Sequence, residues 1–182
     1  AEQNILREDF VSLKGEAVKY AVEADKVFLC ICGGYQMMGT EYIEHDGTHL
    51  ECLGAINVRT VGKKIRYIGD TVYETELVPD KPLLYGFENH SGRTYLGDGV
   101  KPLAKVVSGA GNNGEDQTEG AIYRNVYCNY SHGSFLPKNP QMTDFLLQRA
   151  LEVQKGAPVT LDYLDTIDED FARETIQTCK KT

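Results

Sequence analysis

The chain has 182 residues, enough for one domain with a sizeable core, and its composition is that of a soluble globular protein. Its 19 basic and 27 acidic residues give a net charge of −8, which argues against nucleic acid or an anionic membrane as the main partner. No apolar run approaches the roughly 18–20 residues of a membrane-spanning helix, which excludes membrane insertion. Five cysteines without a framework spacing indicate a reducing, cytoplasmic location.

The first predicted elements are a helix, a buried strand and a glycine-rich turn. Residues 2–24 carry apolar side chains at three- and four-residue steps, which predicts an amphipathic helix. The apolar run 27–31 has no alternation, which is typical of a parallel strand covered on both faces. Cys32, Gly33 and Gly34 then lead into a short second helix.

The remainder of the chain predicts many short strands and two more helices. The strands are 55–61, 63–68, 71–77, 83–88, 93–96, 103–107, 121–124 and 126–130, with turns at Gly62 and at Gly69 and Asp70. Segment 108–114 is a flexible loop by composition, 142–153 is helical, and 167–179 predicts an acidic-headed last helix. We therefore expect an α/β domain of two or three layers over residues 1–182, with 160–182 as an acidic helical extension.

Cys32 is the strongest chemical signal in the sequence. A nucleophile between a buried strand and a helix, followed by glycine, fits a strand–turn–helix elbow. We expect the following helix N-terminus to favour the thiolate, and the Gly33 N–H to stabilise an oxyanion. The alternative is a buried cysteine acting as a small hydrophobe, which is the interpretation favoured for Cys30.

A thiol nucleophile needs a base, and His132 is the best candidate among four histidines. It follows the predicted strand 126–130 and precedes Gly133, so it stands at a strand end, where α/β enzymes collect catalytic groups. His90 is predicted in a turn, where it could bind substrate or cap the loop.

His45, His49 and Cys52 raise the possibility of a metal site. No fourth ligand is at hand and the intervening residues predict a solvated turn, so no metal is expected.

Three segments resemble one enzyme family. The residues Ile31-Cys32-Gly33-Gly34-Tyr35-Gln36-Met37-Met38-Gly39 are similar to the nucleophile elbow of class I glutamine amidotransferases of the cobyric-acid-synthase-like branch. The segments 86–94 and 131–140 narrow the resemblance to the glutaminase subunits (GatD) of lipid II isoglutaminyl synthases.

This resemblance implies a three-layer, flavodoxin-like α/β fold and a glutaminase. Such subunits hydrolyse glutamine and pass ammonia to a Mur-ligase-like partner, MurT. In a heterodimer, the partner uses ATP to amidate D-glutamate of lipid II, giving D-isoglutamine. The chain itself would then need no cofactor. Cys32 would form a γ-glutamyl thioester and His132 would act as acid and base.

The resemblance also implies substrate-binding residues. Arg66 occupies the place of an arginine that holds glutamine, and a guanidinium can grip an α-carboxylate in a fork. Gln36 and Gly33 are further candidates beside the elbow. The alternative for Arg66 is an exposed strand arginine.

Two departures from the family pattern stand out. Class I enzymes carry a carboxylate two residues after the base, where this chain has Ser134, so we expect a Cys32–His132 dyad. The family's oxyanion-forming glycine loop lies just before the position of Glu2 and Gln3, and the chain starts at Ala1 without an initiator Met. We therefore expect an N-terminal βα unit to be missing.

Two other functions remain open. The chain could be the amidotransferase domain of a cobyric-acid or cobyrinate-type enzyme of cobalamin synthesis, because the synthetase sets the acceptor. It could also be a non-catalytic α/β domain that scaffolds a partner enzyme.

Overall fold

The computed structural model describes residues 8–80, 82–161 and 174. In chain order its elements are a π-helical turn Glu8–Leu13, α1 Gly15–Glu23, β1 Phe28–Ile31, α2 Gly33–Met38, β2 Glu41–Ile43, β3 His49–Glu51, β4 Val58–Glu74, β5 Leu83–Leu96, β6 Ala104–Ser108, β7 Thr118–Glu119, β8 Ala121–Tyr123, β9 Val126–Asn129, β10 Ser131–His132, α3 Phe135–Lys138 and α4 Pro140–Lys155. None of the helices within these residues is long and apolar enough to cross a membrane.

The strands of the described residues form two sheets. The smaller has the order β1-β9-β8, with β1 and β9 parallel and Cys30 opposite Cys128. The larger runs β10-β5-β4-β2-β3, and β6 pairs with β4 and β7. The α/β class expected from the sequence is confirmed.

Strand β1 is covered on both faces, as its continuous apolar sequence predicts. Cys30 belongs to a core cluster with Val22 of α1 and Tyr35 of α2. Leu29 and Ile31 pack against a second cluster beneath α3 and α4. Because side chains alternate along a strand, β1 separates the two halves of the core and carries the elbow at its carboxyl end.

The predicted chain of short strands is wrong in the middle of the protein. The three strands expected over 55–77 are one 17-residue strand, β4, and the two expected over 83–96 are one strand, β5. Gly62 does not mark a turn: a Cβ there would lie 2.7 Å from the Tyr42 hydroxyl, so the glycine permits close packing inside the sheet. His90 consequently lies within β5 rather than in a turn.

The loop over 108–114 is not a flexible surface segment. Asn112 and Asn113 are fully buried in it. The Asn112 amide donates to the Gly120 carbonyl oxygen at 2.9 Å, and that of Asn113 donates to the Thr94 carbonyl oxygen at 3.1 Å. The hydrogen bonds of these two buried amides therefore fix the loop against the rest of the protein.

The structure describes the two ends of the chain only in part. The predicted first helix appears as the π-helical turn and α1, with 2–7 outside the described residues. The helix expected over 142–153 is α4. Of the extension expected over 160–182, the structure describes only residues 160, 161 and 174. The acidic helix expected over 167–179 therefore lies outside the described residues, apart from Glu174.

Candidate active site

Cys32 stands on a strained elbow between β1 and α2. Its backbone has φ 49° and ψ −104°, a conformation that non-glycine residues rarely adopt. The Cys32 N–H donates to the Asn129 carbonyl oxygen at 2.9 Å, and its own carbonyl accepts from Gln36 N–H at 3.0 Å. The strand on one side and the helix on the other thus hold the backbone in place, as expected for a nucleophile elbow.

His132 is brought to the same edge of the molecule. Strand β9 runs parallel to β1, with Ile31 opposite Asn129, and His132 follows three residues later in β10. There it pairs with Phe87 of β5. Because the carboxyl ends of adjacent parallel strands share an edge, the nucleophile and base predicted from the sequence lie on neighbouring strand ends.

The histidine ring has no orienting carboxylate in the described part of the chain. Its Nε2 is buried without a hydrogen-bond partner there. The position expected to carry an acid in the wider class is Ser134, which caps α3 in a left-handed conformation with φ 64°. Within these residues no third member of a triad can be assigned, and the Cys32–His132 dyad stays a prediction.

The electrostatics oppose the predicted thiolate. Burial raises the pKa of Cys32 above its ordinary value, and the Gly33 N–H and the Arg66 charge only partly offset this effect. Helix α2 has six residues, too few for a strong dipole. Burial, His90 and Arg66 all lower the pKa of His132. At neutral pH the pair is therefore a thiol and a neutral imidazole.

Arg66 acts electrostatically on both reactive groups, since its charge lowers both pKa values. It lies in an irregular part of β4, where the register with β5 shifts between Gly62 and Tyr67. Its guanidinium is exposed and makes three hydrogen bonds to Asn89: Nε to Oδ1 at 3.1 Å, Nη2 to Oδ1 at 2.7 Å and Nη2 to the carbonyl oxygen at 3.0 Å.

Gln36 points its amide into the protein, where Nε2 donates to the Tyr130 hydroxyl at 3.2 Å. The same hydroxyl lies 2.6 Å from Thr94 Oγ1. Gln36 therefore links the elbow helix to the residue two positions before His132. The substrate-binding roles of Gln36, Gly33 and Arg66 stay predictions.

A buried polar layer lies behind the site. His90 is 2% exposed, stacks on the Tyr130 ring at 3.8 Å between centroids and has Nε2 3.6 Å from Glu88 Oε2. Glu88 accepts from the N–H groups of Ala110 and Gly111. His90 is thus an internal packing residue of β5, and the turn position predicted for it is wrong.

Glu119 is the second buried carboxyl, and the sequence reasoning missed it and Glu88 alike. Glu119 is 0% exposed and accepts from the Tyr130 N–H at 2.6 Å, while its Oε2 is without a partner among the described residues. Burial raises the pKa of Glu119 to about 8. The sequence signal that could have found them is a glutamate within or just before a predicted strand, as Glu88 is within 83–88 and Glu119 is just before 121–124.

The residues considered for a metal site serve other purposes. His49 Nδ1 lies 2.8 Å from Glu41 Oε2 across the β2–β3 pair. Cys52 is buried and directs its thiol to the Leu50 carbonyl oxygen. Throughout the described ranges, no group of three histidine, cysteine or acidic side chains is arranged to hold a metal ion.

Comparisons with known proteins give a matching family and a similar fold. The family model of the CobB/CobQ-like glutamine amidotransferase domain matches residues 3–140, which include both reactive side chains. A solved glutamine amidotransferase has the same fold, with a TM-score of 0.59 at 17% identity over 81% of this chain and 71% of its own.

Curated relatives are more similar in sequence. The GatD subunit of lipid II isoglutaminyl synthase from Staphylococcus aureus is 41% identical over 96% of this chain and 69% of its own length. The GatD subunit from Streptococcus pneumoniae is 38% identical over 95% of this chain and 66% of its own length. A cobyric acid synthase from Chlorobium chlorochromatii is 30% identical over 70% of this chain but only 26% of its own length. The chain thus spans about two thirds of the GatD relatives.

Proposed function

Because this chain belongs to the CobB/CobQ-like glutamine amidotransferase family, we propose that it is the glutaminase subunit of a lipid II isoglutaminyl synthase. The observation that carries the proposal is its identity of 41% and 38% to two GatD subunits over nearly all of its length. The strained Cys32 elbow beside the His132 strand end supplies the chemistry.

The proposed reaction proceeds through a thioester. Cys32 Sγ attacks the side-chain amide carbon of glutamine as the thiol proton passes to His132, and the Gly33 N–H faces the developing oxyanion. His132 returns the proton to nitrogen, the C–N bond breaks and ammonia leaves. A water molecule, deprotonated by His132, then attacks the γ-glutamyl thioester. The C–S bond breaks, glutamate leaves and the thiol is restored.

The remaining roles belong to the complex. We propose a Mur-ligase-like partner of the MurT type that uses ATP to activate the α-carboxylate of D-glutamate in lipid II. Ammonia from this subunit then gives D-isoglutamine in the cytoplasm. This subunit itself uses no ATP in the scheme and needs no metal.

The test is glutamine turnover by the full-length protein with its partner. We expect Cys32→Ala and His132→Ala to lower glutamate release by at least about 10³-fold, and Cys52→Ala, a buried cysteine elsewhere, to leave it near wild type. Mass spectrometry of lipid II should show a carboxamide in place of a carboxylate. Undiminished turnover by Cys32→Ala would disprove the assigned nucleophile.

A cobyric-acid-type amidotransferase is the second candidate, favoured by the 30% identity to cobyric acid synthase. That similarity covers about a quarter of the synthase, so it reports the amidotransferase segment alone. Amidation of a corrinoid carboxylate, with no change to lipid II, would favour this candidate. A chain that binds a ligase partner without turning over glutamine would instead be a scaffold.

A further inference from the structure

The segment that carries Arg66 is an irregularity of the β4–β5 ladder. Gly62 pairs with Gly92 and Tyr67 pairs with His90, so four residues of β4, 63–66, oppose a single residue, Ser91. Such a bulge re-aims side chains and increases local twist. It leaves Ile65 74% exposed and directs the Arg66 side chain back along β5 to Asn89.

A buried arginine fastens the inner side of this bulge. Arg93 is 5% exposed, donates to the Ile65 carbonyl oxygen at 3.1 Å and lies 3.4 Å from the centre of the Tyr67 ring. The backbone of the bulge is therefore held from within, and the position of the Arg66 side chain depends on what holds its own guanidinium.

Asn89 holds the Arg66 guanidinium, and it lies on the same face of the sheet as His132, the proposed base. His132 pairs directly with Phe87, and Asn89 follows Phe87 by two positions, so the three side chains share one face of the sheet. The amide oxygen and the backbone carbonyl oxygen of Asn89 accept hydrogen bonds from the Nε and Nη2 groups of Arg66. Across the described ranges no carboxylate pairs with Arg66, and its Nη1 makes no hydrogen bond.

This arrangement decides which edge of Arg66 is open. A guanidinium grips a carboxylate in a fork through two nitrogens on one edge. Here the edge formed by Nε and Nη2 faces the Asn89 amide oxygen, and Nη2 also donates to the Asn89 carbonyl oxygen. The N–H groups of Nη1 remain, so in this conformation Arg66 offers a carboxylate one free nitrogen rather than the two of the fork expected from the sequence.

We propose that Asn89 is a positioning residue for glutamine: it holds Nε and Nη2 of Arg66 so that Nη1 meets the substrate α-carboxylate. This inference rests on the proposed glutaminase function. Its physical basis is preorganisation, because a long, exposed arginine otherwise loses rotamer freedom when the substrate binds.

The experiment compares two thiol reagents on the full-length protein with its partner. 6-Diazo-5-oxo-L-norleucine carries the α-carboxylate of glutamine and alkylates the nucleophile, whereas iodoacetamide has no α-carboxylate. Labelling rates at Cys32 are measured by peptide mass spectrometry for wild type, Asn89→Ala, Asn89→Asp, Arg66→Ala and the double variant. Asn57→Ala is the matched control, an exposed asparagine that bonds to a backbone carbonyl far along the same strand pair.

We expect Asn89→Ala to lower labelling by the glutamine analogue about 10-fold and to leave iodoacetamide labelling unchanged. Asn89→Asp, which keeps the acceptor oxygen, should retain most of the rate. The double variant should be no slower than Arg66→Ala alone, because both changes remove one interaction. In turnover the effect should fall on KM rather than kcat.

Two results would overturn the inference, and they are distinguishable. If Asn89→Ala is labelled like wild type, or its effect adds to that of Arg66→Ala, Asn89 does not act through Arg66 while the glutaminase assignment stands. If iodoacetamide labels wild-type Cys32 and the glutamine analogue does not, the proposed function itself fails and this inference with it.

Discussion

Glu119 offers the sharpest test of the buried polar layer. Its carboxyl is completely buried and accepts a hydrogen bond from the Tyr130 N–H. The informative change is Glu119→Gln, which keeps the shape and an acceptor oxygen for that N–H but cannot ionise. The variant therefore isolates the free energy of placing a charge at this position.

The size and sign follow from linkage. The pKa of Glu119 rises from an ordinary 4.5 to about 8, mainly through burial, with the Glu88 charge adding to the rise. Between these values the folded protein holds a proton that the unfolded chain has released, so stability falls as pH rises. The loss is at most about 1.4 kcal/mol per pH unit and totals on the order of 5 kcal/mol across the window.

The assay is urea unfolding from pH 5.5 to 9 for wild type and Glu119→Gln. We expect the difference in unfolding free energy to shift in favour of the variant as pH rises, and to level off above about pH 8. Taking the difference cancels other titrating groups, including His132, whose lowered pKa acts in the opposite direction. Parallel curves for the two proteins would show that Glu119 is ionised in the folded state and refute the reasoning.

Two further predictions concern the candidate catalytic groups and the residues behind them. Burial, His90 and Arg66 lower the pKa of His132. The rise of kcat/KM for glutamine with pH should therefore have its midpoint below the ordinary histidine pKa of about 6.5. A midpoint above about pH 7 would contradict this. Tyr130→Phe removes the hydroxyl between Gln36 and Thr94. The variant should lose about 1–3 kcal/mol of unfolding free energy, and its kcat should fall. The control Tyr95→Phe, which loses only a 3.4 Å contact to Glu115, should change stability by less than about 0.5 kcal/mol, and equal effects would refute the role given to Tyr130.

Local sequence patterns were sufficient to predict the elbow at Cys32 and the strand end that carries His132. The apolar run before Cys32 and the glycines after it define the elbow within eight residues, and His132 follows the adjacent parallel strand directly. Both signals depend on neighbours in the chain. They therefore survive without any knowledge of how distant segments pack.

The long strands and the buried polar layer could not be found in this way. Gly62 has the sequence signature of a turn, yet its reason is the Tyr42 hydroxyl on another strand. Asn89 and Glu119 matter through Arg66 and Tyr130, partners that lie 23 and 11 positions away. Such pairings depend on the register between strands. The four-residue bulge in β4 shifts that register, and the sequence pattern around it does not indicate the shift.

The pKa directions at the site bear on how the proposed reaction starts. A pre-formed thiolate–imidazolium pair would need the pKa of Cys32 below that of His132, whereas burial raises the first and lowers the second. Proton transfer must then accompany attack on the amide, so the thiol stays weakly nucleophilic until a substrate carbonyl faces the Gly33 N–H. Iodoacetamide labelling of Cys32 should accordingly rise with a midpoint above the ordinary thiol pKa of about 8.5, whereas the proposed hydrolysis of bound glutamine should proceed well below that pH. A labelling midpoint below pH 7 would show instead that the ion pair exists before substrate binds.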